Sequence, residues 1–417
     1  MGRPLRYTGG DELIMADTKK RGFRTTLSHT GRKTKHEHGF VNPPLNRGST
    51  VLVPTVAERQ ALQARRGERV LTYGLGGSET HWALEDAMTA VEGGTRCFIV
   101  CSGLAAVTTP LLAWLKAGDH CLMPDHVYGP ARNFCEGLLR RYGIETTYYV
   151  PDIDEAGLAA LMRPNTKVVY TESPGSHTFE IQDIPAIARA AHAGGAKLLM
   201  DNTWGIHHFQ PFAHGVDVSI QAATKYPAGH SDVLIGTITV NSAADWTTLH
   251  ATARGLGQYA SPDDCWLTLR GMRTMAIRLQ TQMEAAIHVG HWLRQQPEVA
   301  QVLNPALPGA PGHAIWKRDF TGACSLFGVE FKPEFSPIST HKFVEALELF
   351  GIGASWGGFE SLAVPTTGFI TRTAGSGKFS GPVVRLHIGL EDVDDLTADL
   401  RQGLDVMRAH RDAPACS

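Results

Sequence analysis

The chain has 417 residues, of which 43% are hydrophobic and 19% are charged. This is a globular composition with room for two or three domains, and it excludes wholesale disorder. The 39 Lys and Arg residues nearly balance the 41 Asp and Glu residues. Without a basic excess, neither a nucleic-acid partner nor an anionic membrane is indicated. No run of about 18 apolar residues is available to span a bilayer.

The seven cysteines are scattered thinly along the chain. They form no C-x-x-C pair and no classical zinc spacing, so neither a disulfide scaffold nor a metal site is predicted. The N-terminus has no apolar segment of signal-peptide length. These features together predict reduced thiols and a cytoplasmic location.

Residues 1–77 are predicted to form an N-terminal arm. The first 39 residues are rich in Arg, Lys, Thr, His and Gly, and we expect them to be poorly ordered. Residues 40–77 contain Pro and Gly too often for one long element, so they are predicted to be irregular. Translation starts at Met1 or at Met15, where MADTKK resembles a natural beginning.

From residue 78 the sequence alternates between predicted helices and short apolar strands, and residues 78–271 are predicted to form one domain. Helices are predicted at 82–91, 104–115 and 130–141, and strands at 96–101, 120–123, 145–150, 167–171, 216–220 and 234–240. Strands that alternate with helices predict a mainly parallel sheet covered on both faces.

The segment DIPAIARAAHAGGAKLLMD is the clearest unit of this alternation. Ile184, Ile187, Ala188 and Ala191 recur with the spacing of one helix face. The pair Gly194-Gly195 then stops the helix. The next residues, 197–200, form a predicted buried strand that ends at Asp201.

Residues 272–417 are predicted to form a smaller α/β domain. A long helix begins near Asp263, and a Pro/Gly-rich linker, LNPALPGAPGH, follows it. Beyond the linker, CSLFGVEF and VVRLHIG have the pattern of strands, and 340–349 and 391–409 that of helices.

Ligands of open α/β sheets bind at the carboxyl ends of the strands. Four short segments, beginning at Ser102, Tyr128, Asp201 and Lys225, follow predicted strands and should meet at this edge. Ser102 precedes Gly103 at a helix start, where free backbone N–H groups can bind a phosphate, although such a pair is often only a cap. Tyr128 can stack on a flat ring or belong to the core.

Asp201 and Lys225 indicate a function more strongly as a pair than either residue does alone. A carboxylate at the end of an apolar strand is costly unless it has a partner, although it can simply cap the next turn. A lysine in that setting can extend to solvent, or desolvation can lower its pKa and make it a nucleophile. A buried Asp and a Lys on neighbouring strand ends are what pyridoxal phosphate requires: an amine for the aldehyde and a carboxylate for the ring nitrogen.

Arg385 lies in the predicted strand VVRLHIG. An arginine at the site edge can grip a substrate carboxylate with two hydrogen bonds, and otherwise it forms a surface ion pair.

Six segments of the sequence carry a family resemblance: ESPGSHTFEIQDIPAI, DNTW, VDVSIQAATKYPAGHSDVLIGT, NPALPGAPGHAIWKRDFTG, SWGGFESL and VVRLHIGLEDVDDL. They resemble the Cys/Met-metabolism family of pyridoxal-phosphate enzymes, and within it the cystathionine β-lyases, over residues 40 to 409. The resemblance implies fold type I, the aspartate-aminotransferase-like fold. Its core is a mostly parallel seven-stranded sheet with helices on both faces, followed by a smaller C-terminal α/β domain.

The resemblance also implies a role for each candidate residue. Lys225 would be the Schiff-base lysine that removes the Cα proton and protonates the leaving sulfur. Asp201 would pair with the pyridine nitrogen, and Tyr128, also catalytic, would stack on the ring. The phosphate would be held by the Gly103 and Leu104 N–H groups and by Thr224.

For the substrate, a thioether amino acid, the resemblance implies that Arg385 binds the α-carboxylate with help from Ser355 and Trp356. Tyr73 would contact cofactor and substrate and act in catalysis within the partner subunit's site. The working unit would then be a homodimer at least, and in the family it is usually a homotetramer. The implied reaction converts cystathionine to homocysteine, pyruvate and ammonia, as in methionine synthesis.

Three positions depart from the family pattern. Leu75 stands where an arginine usually contacts the cofactor phosphate, a contact worth about 1.5–3 kcal/mol. Ala222 replaces a common serine. Ala354 stands where γ-acting relatives often carry Glu and some β-lyases carry Tyr. Arg65, Arg66 and Arg69 are nearby in sequence as possible substitutes for the missing arginine.

These departures leave alternatives open. A broader cysteine-S-conjugate β-lyase, a γ-acting enzyme (cystathionine γ-lyase, cystathionine γ-synthase or methionine γ-lyase) and a weakly catalytic cofactor-binding regulator each agree with part of the pattern. A nicotinamide dehydrogenase does not, because no G-x-G-x-x-G follows the first strand.

Overall fold

A computed structural model describes residues 21–32, 39–65, 68–375 and 379–411. Its helices are α1 (Phe23–His29), α2 (Val56–Ala64), α3 (Glu79–Glu92), α4 (Gly103–Trp114), α5 (Gly129–Phe134), α6 (Glu155–Leu161), α7 (Ile184–Ala193), α8 (Ala243–Gly255), α9 (Pro262–Leu293), α10 (His313–Asp319), α11 (Pro337–Ala346) and α12 (Val393–Ala409). Its strands are β1 (Arg96–Val100), β2 (His120–Pro124), β3 (Glu145–Tyr149), β4 (Thr166–Glu172), β5 (Lys197–Asp201), β6 (Val218–Gln221), β7 (Gly236–Val240), β8 (Val299–Leu303), β9 (Leu326–Phe331), β10 (Leu362–Pro365) and β11 (Val383–His387).

The larger sheet has seven strands in the order β1-β7-β6-β5-β4-β2-β3. Strand β7 is antiparallel to both of its neighbours, and the remaining pairs are parallel. Six strands therefore point the same way, and their carboxyl ends lie along one edge. The prediction of a mostly parallel seven-stranded sheet is confirmed.

Helices cover both faces of this sheet, as predicted. Residues of α3, α7 and the first half of α9 share one apolar cluster with the sheet. Residues of α4, α5 and α8 pack in a second cluster against the other face. Burial on both sides explains why the central strands β4 and β5 are mostly apolar.

Local signals define the helices next to the site edge. The Asp183 side chain accepts a hydrogen bond from the Ala186 N–H (3.1 Å) at the start of α7, and Gly194 caps its end. At α3, Ser78 and His81 cap each other, and Gly93 ends the helix in the left-handed conformation. Interactions of this type satisfy backbone groups that the helix itself leaves unpaired.

The C-terminal part contains a four-stranded antiparallel sheet in the order β10-β11-β9-β8. The helices α11 and α12 and the second half of α9 share its apolar cluster. The 32-residue helix α9 thus contributes to both parts of the protein. At about 1.5 Å per residue it is roughly 48 Å long, which is enough to connect them.

The N-terminal segment contains more regular structure than the sequence predicts. Poor order is expected over residues 1–39, but within that range residues 23–29 form α1. Leu27 is buried there, and the Arg273 guanidinium of α9 donates a hydrogen bond to the Thr30 carbonyl (2.9 Å). The packing against α9 is a tertiary contact that composition does not reveal. The arm boundary at residue 77 remains a prediction.

Other short elements also escape the sequence analysis. Helix α2 lies within the segment predicted to be irregular, and none of its residues is buried. In α8 only Asp245, Leu249 and Ala253 are buried, which gives a weak helical period. The helices α6 and α10 are seven residues long, β8 is five, and β10 has four residues that end in Pro365.

The six cysteines in the described ranges are free thiols, and all except Cys101 are buried. No helix in these ranges is both long and apolar enough to cross a membrane. The same part of the chain has no cluster of three metal-ligating side chains.

Candidate active site

The turn after β6 carries Lys225 to the carboxyl edge of the sheet. Its backbone N–H donates to the Ala222 carbonyl (3.0 Å), and its own carbonyl accepts from the Gly229 N–H (2.8 Å). The Lys225 Nζ donates a hydrogen bond to Ser355 Oγ (2.6 Å) and lies 5.3 Å from the centre of the Trp356 ring.

The pKa of Lys225 is lowered from 10.5 to about 8. Burial is the largest cause, the positive charge of Arg385 acts in the same direction, and the carboxylate of Asp201 opposes the shift. A lysine with such a pKa is partly uncharged near neutral pH. The uncharged amine is the form that acts as a nucleophile or accepts a proton.

Asp201 ends the neighbouring strand β5. Its Oδ1 accepts hydrogen bonds from the Thr203 N–H (3.0 Å) and the Thr203 hydroxyl (2.6 Å). Burial nevertheless raises the pKa of this carboxyl, because neither these two bonds nor the charge of Lys225 fully compensates it. A cationic ring N–H would supply the missing compensation.

Glu172 is a second carboxylate at this edge, and the sequence analysis missed it. It ends β4 directly opposite Asp201 in the strand register. Its carboxylate accepts from the Tyr128 N–H (2.7 Å) and the Ser176 hydroxyl (2.5 Å). Burial and the neighbouring Asp201 raise the pKa of Glu172. Its position at the end of an apolar strand, like that of Asp201, was the available signal.

Glu92 was also missed, and it lies buried below the site. Its carboxyl accepts hydrogen bonds from Ser219, from the Gln221 side chain (2.7 Å) and from Asn202. Burial raises its pKa to about 8. The polar residues Ser219 and Gln221 in an otherwise apolar strand were a sign that a buried polar partner faces them.

A tight backbone approach forms the start of α4. The Ser102 side chain accepts from the Ala105 N–H (3.1 Å) and caps the helix. A Cβ placed on Gly103 would lie 2.6 Å from the Cβ of Ala222, so only glycine fits against the turn that bears Lys225. The free N–H groups at the start of this helix therefore lie close to Lys225, where a phosphate can bind. The Leu104 side chain is exposed.

The Thr224 hydroxyl is tied to the backbone next to β7. It donates to the Ile235 carbonyl (3.1 Å) and accepts from the Ile235 N–H (2.9 Å). These two bonds fix the turn before Lys225. The single hydroxyl proton of Thr224 goes to the Ile235 carbonyl, so Thr224 can donate to a phosphate only after its hydroxyl rotates.

Tyr128 precedes α5 and is 40% exposed. The pKa of its phenol is raised by burial and by the charges of Asp201 and Glu172, whereas Arg385 lowers it. These couplings place the ring among the charged groups of the site.

Arg385 lies on β11 and donates to the Ser355 carbonyl (3.0 Å). Burial lowers its pKa to about 10. Within the described ranges no carboxylate forms an ion pair with it, so its charge is available to an anionic ligand. Ser355 has a φ of +80°, which turns both its carbonyl and its hydroxyl toward these basic side chains.

Tyr73 is not brought to this site within one chain. Its side chain is 55% exposed, and its backbone forms an isolated bridge with Thr50. Two of the proposed arginine substitutes have other partners: Arg65 pairs with Glu68, and Arg69 pairs with Glu85 (3.1 Å) and Asp86 (2.6 Å). Arg66 lies outside the described residues.

A profile of the Cys/Met-metabolism PLP-dependent enzymes matches residues 24–405. This chain belongs to that family. It is 48% identical over 386 residues to a putative cystathionine β-lyase of Rhizobium johnstonii, which covers 92% of this chain and 96% of the relative. It is 41% identical to the cystathionine β-lyase MetC of Escherichia coli, over 93% of this chain and 99% of that enzyme.

The crystal structure of a cystathionine γ-synthase from Xanthomonas oryzae pv. oryzae has the same fold. Its TM-score is 0.85 at 29% sequence identity, over 93% of this chain and 99% of that one. The resemblance found in the sequence is therefore confirmed, and the enzyme depends on pyridoxal 5'-phosphate. The incompletely compensated Asp201 carboxyl, the Lys225 amine and the glycine-only approach at Gly103 fit that cofactor.

Proposed function

We propose that the protein is a pyridoxal-phosphate-dependent carbon–sulfur β-lyase that cleaves L-cystathionine to homocysteine, pyruvate and ammonia. The observation that carries this proposal is the amine of Lys225. Its pKa is about 8, and it is hydrogen-bonded to Ser355 at 2.6 Å and electrostatically coupled to both Asp201 and Arg385. The β-lyase names of the relatives at 40–48% identity support the choice of reaction.

Each residue has a defined task in this proposal. Asp201, Tyr128, Thr224 and the N–H groups of Gly103 and Leu104 hold the cofactor. Bound there, pyridoxal phosphate supplies an electron sink that makes the substrate Cα–H acidic.

Arg385 binds the substrate α-carboxylate and orients the Cα–H bond. The neutral amine of Lys225, oriented by the Ser355 hydroxyl, accepts the Cα proton. The resulting ammonium donates a proton to the sulfur as the Cβ–S bond breaks, which releases homocysteine as a neutral thiol. Water then converts the remaining three-carbon fragment to pyruvate and ammonia. One amine that acts first as base and then as acid requires a pKa near the working pH.

Elimination at Cβ rather than Cγ is favoured by Trp356, by the ESPGS segment and by the absence of a Glu at Ala354. Ala354 is exposed, so this corner of the site has room and no charged side chain of its own. The same room also allows other cysteine S-conjugates as substrates.

The direct test incubates the purified holoenzyme with L-cystathionine and identifies the 2-oxo acid and the thiol. We expect pyruvate and homocysteine, and no product from Lys225→Ala. Formation of 2-oxobutyrate and cysteine would instead identify a γ-lyase. A bound cofactor without turnover of cystathionine, cystine, a djenkolate-like thioether or methionine would support the regulator alternative.

We further propose that the working unit is at least a homodimer and that two dimers form a homotetramer. Within the dimer, Tyr73 of one subunit reaches the partner's site. The support is the exposed position of Tyr73 together with the exposed apolar side chains of Phe40, Leu52 and Val56.

A mixing experiment tests this assembly. Lys225→Ala and Tyr73→Ala are each expected to have little activity, because each lacks one component of every site. After the two variants are denatured and refolded together, heterodimers contain one site with both residues intact, so activity should return. A monomer in analytical ultracentrifugation, with no recovered activity, would contradict the proposal. A reducing cytoplasm is the proposed location, in accord with the six free thiols.

A further inference from the structure

His177 belongs to the loop between β4 and α7, at the carboxyl edge of the large sheet. Its φ of +65° lies in the left-handed region, which residues other than glycine rarely adopt. Both neighbours are fixed: Ser176 donates to Glu172 (2.5 Å), and the Thr178 hydroxyl donates to Glu180 (2.6 Å). Such conformations persist where the surroundings enforce them, and they concentrate at functional sites.

The imidazole of His177 has an unusual environment. Its ring stacks near Phe369, with 6.1 Å between the ring centres. Its Nδ1 is buried and has no hydrogen-bond partner among the residues that the structure describes. Burial, with a contribution from the charge of Arg385, lowers the pKa of His177 to about 4. The ring is therefore neutral at physiological pH and carries one N–H donor.

The loop that contains His177 packs against the four-stranded sheet that contains Arg385. Gly328 of β9 is the register partner of Arg385 on β11. A Cβ placed on Gly328 would lie 3.3 Å from the His177 carbonyl oxygen. A half-buried guanidinium without a described counter-ion and an imidazole with an unpartnered buried nitrogen thus belong to the same small region.

A buried polar atom without a partner needs an explanation, and a carboxylate would satisfy both groups at once. We propose that the imidazole of His177 donates a hydrogen bond to the substrate carboxylate that Arg385 binds. This inference rests on the carboxylate role of Arg385 in the proposed function. It makes His177 a substrate-binding residue and leaves the proton transfers to Lys225.

The left-handed backbone suggests a matched pair of variants. Glycine and asparagine both tolerate this conformation, so His177→Gly removes the donor and His177→Asn keeps one, without new backbone strain. Binding is measured through the change in cofactor absorption when glycine is added to the holoenzyme. Glycine has an α-carboxylate and no leaving group. Methylamine, which lacks the carboxylate, is the control ligand.

We expect the glycine dissociation constant of His177→Gly to rise about 10-fold or more, the usual effect of losing a hydrogen bond to a charged group. His177→Asn should stay within about threefold of the wild type, since it keeps a donor. Methylamine should bind all three proteins alike, with equal cofactor content and thermal stability. Equal glycine affinity in His177→Gly and the wild type would overturn the inference.

If His177→Gly does not fold, the isosteric pair His177→Asn and His177→Asp replaces it. The aspartate would repel a carboxylate at Arg385, so weaker glycine binding than in His177→Asn supports the inference and equal binding overturns it. The glycine measurement does not depend on cystathionine cleavage. A wild type that shows the glycine pattern but does not cleave cystathionine would reject the proposed function alone.

Discussion

The primary amine of Lys225 lies in a largely desolvated position, whereas a charged amine is normally hydrated. Its pKa is lowered to about 8 because the surrounding protein solvates the ammonium form poorly and Arg385 repels it. The carboxylate of Asp201 limits this effect without cancelling it. In the protein without cofactor, the charged lysine is therefore a cost to folding.

We expect Lys225→Met to be more stable than the wild type when both lack the cofactor. The unfolded lysine titrates near 10.5 and the folded one near 8, so between these values the unfolded state binds more protons and wild-type stability rises with pH. The advantage of Lys225→Met should be about 3 kcal/mol below pH 8 and should shrink toward zero near pH 10.5.

Urea unfolding of both proteins at pH 7 and pH 9.5 measures this difference. Lys167→Met is the control, because it makes the same substitution at an exposed lysine on β4. A constant advantage of Lys225→Met across the pH range would show that the folded lysine is not destabilised by its charge.

Among the elements next to the site, α4 depends on the absence of a side chain at one residue. Its first residue, Gly103, lies against Ala222 so closely that a Cβ would come within 2.6 Å of the Ala222 Cβ. The helix start and the turn before Lys225 therefore hold each other in place. One cofactor molecule should therefore reach both places, with its phosphate at this helix start and its aldehyde at the amine of Lys225.

We expect Gly103→Ala to raise the cofactor dissociation constant about 10-fold or more, because the added methyl must push the helix start away from the turn and displace its N–H groups. Gly129→Ala is the matched control: Gly129 is the first residue of α5, and a Cβ there meets nothing within 4 Å. Equilibrium dialysis of both variants gives the comparison. Equal affinity in the two would place the phosphate elsewhere.

For the molecule as a whole, the loop before β11 fastens the C-terminal part to the cofactor-binding part. Arg372 on this loop forms an ion pair with Glu180 and donates to the Thr178 hydroxyl (2.9 Å). Next to it, Asp125 accepts from the N–H groups of Thr373 (2.8 Å) and Ala374 (2.8 Å). These contacts come from residues far apart in sequence.

We expect Arg372→Ala to lower the free energy of unfolding by about 2 kcal/mol, because its side chain is 10% exposed and its loss leaves Glu180 without this cation. Arg163→Ala breaks an ion pair whose members are 45% and 71% exposed, and it should cost less than about 1 kcal/mol. Denaturant unfolding of the two variants tests the contrast. Equal losses would mean that the loop contact contributes no more than a surface pair.

Much of the fold follows from local sequence. The apolar runs that end at Val100, Asp201 and Gln221 are strands with buried central residues, and helix α7 lies where Ile184, Ile187 and Gly194 predicted it. Apolar period and glycine stops are properties of adjacent residues, so they can be read without a structure. Helices α1 and α2 could not be predicted in this way, because they bury one residue or none and depend on packing or on caps.

The sequence by itself predicted that Lys225 and Asp201 act together, because Asp201 ends β5 and Lys225 follows β6, and the carboxyl ends of these strands share an edge. Only the tertiary structure revealed Glu172 opposite Asp201 and the proximity of His177 to Arg385. Those relations join residues from separate strands and loops, and their hydrogen-bond partners and pKa shifts depend on burial. Burial is a property of the whole fold, which no local pattern of residues contains.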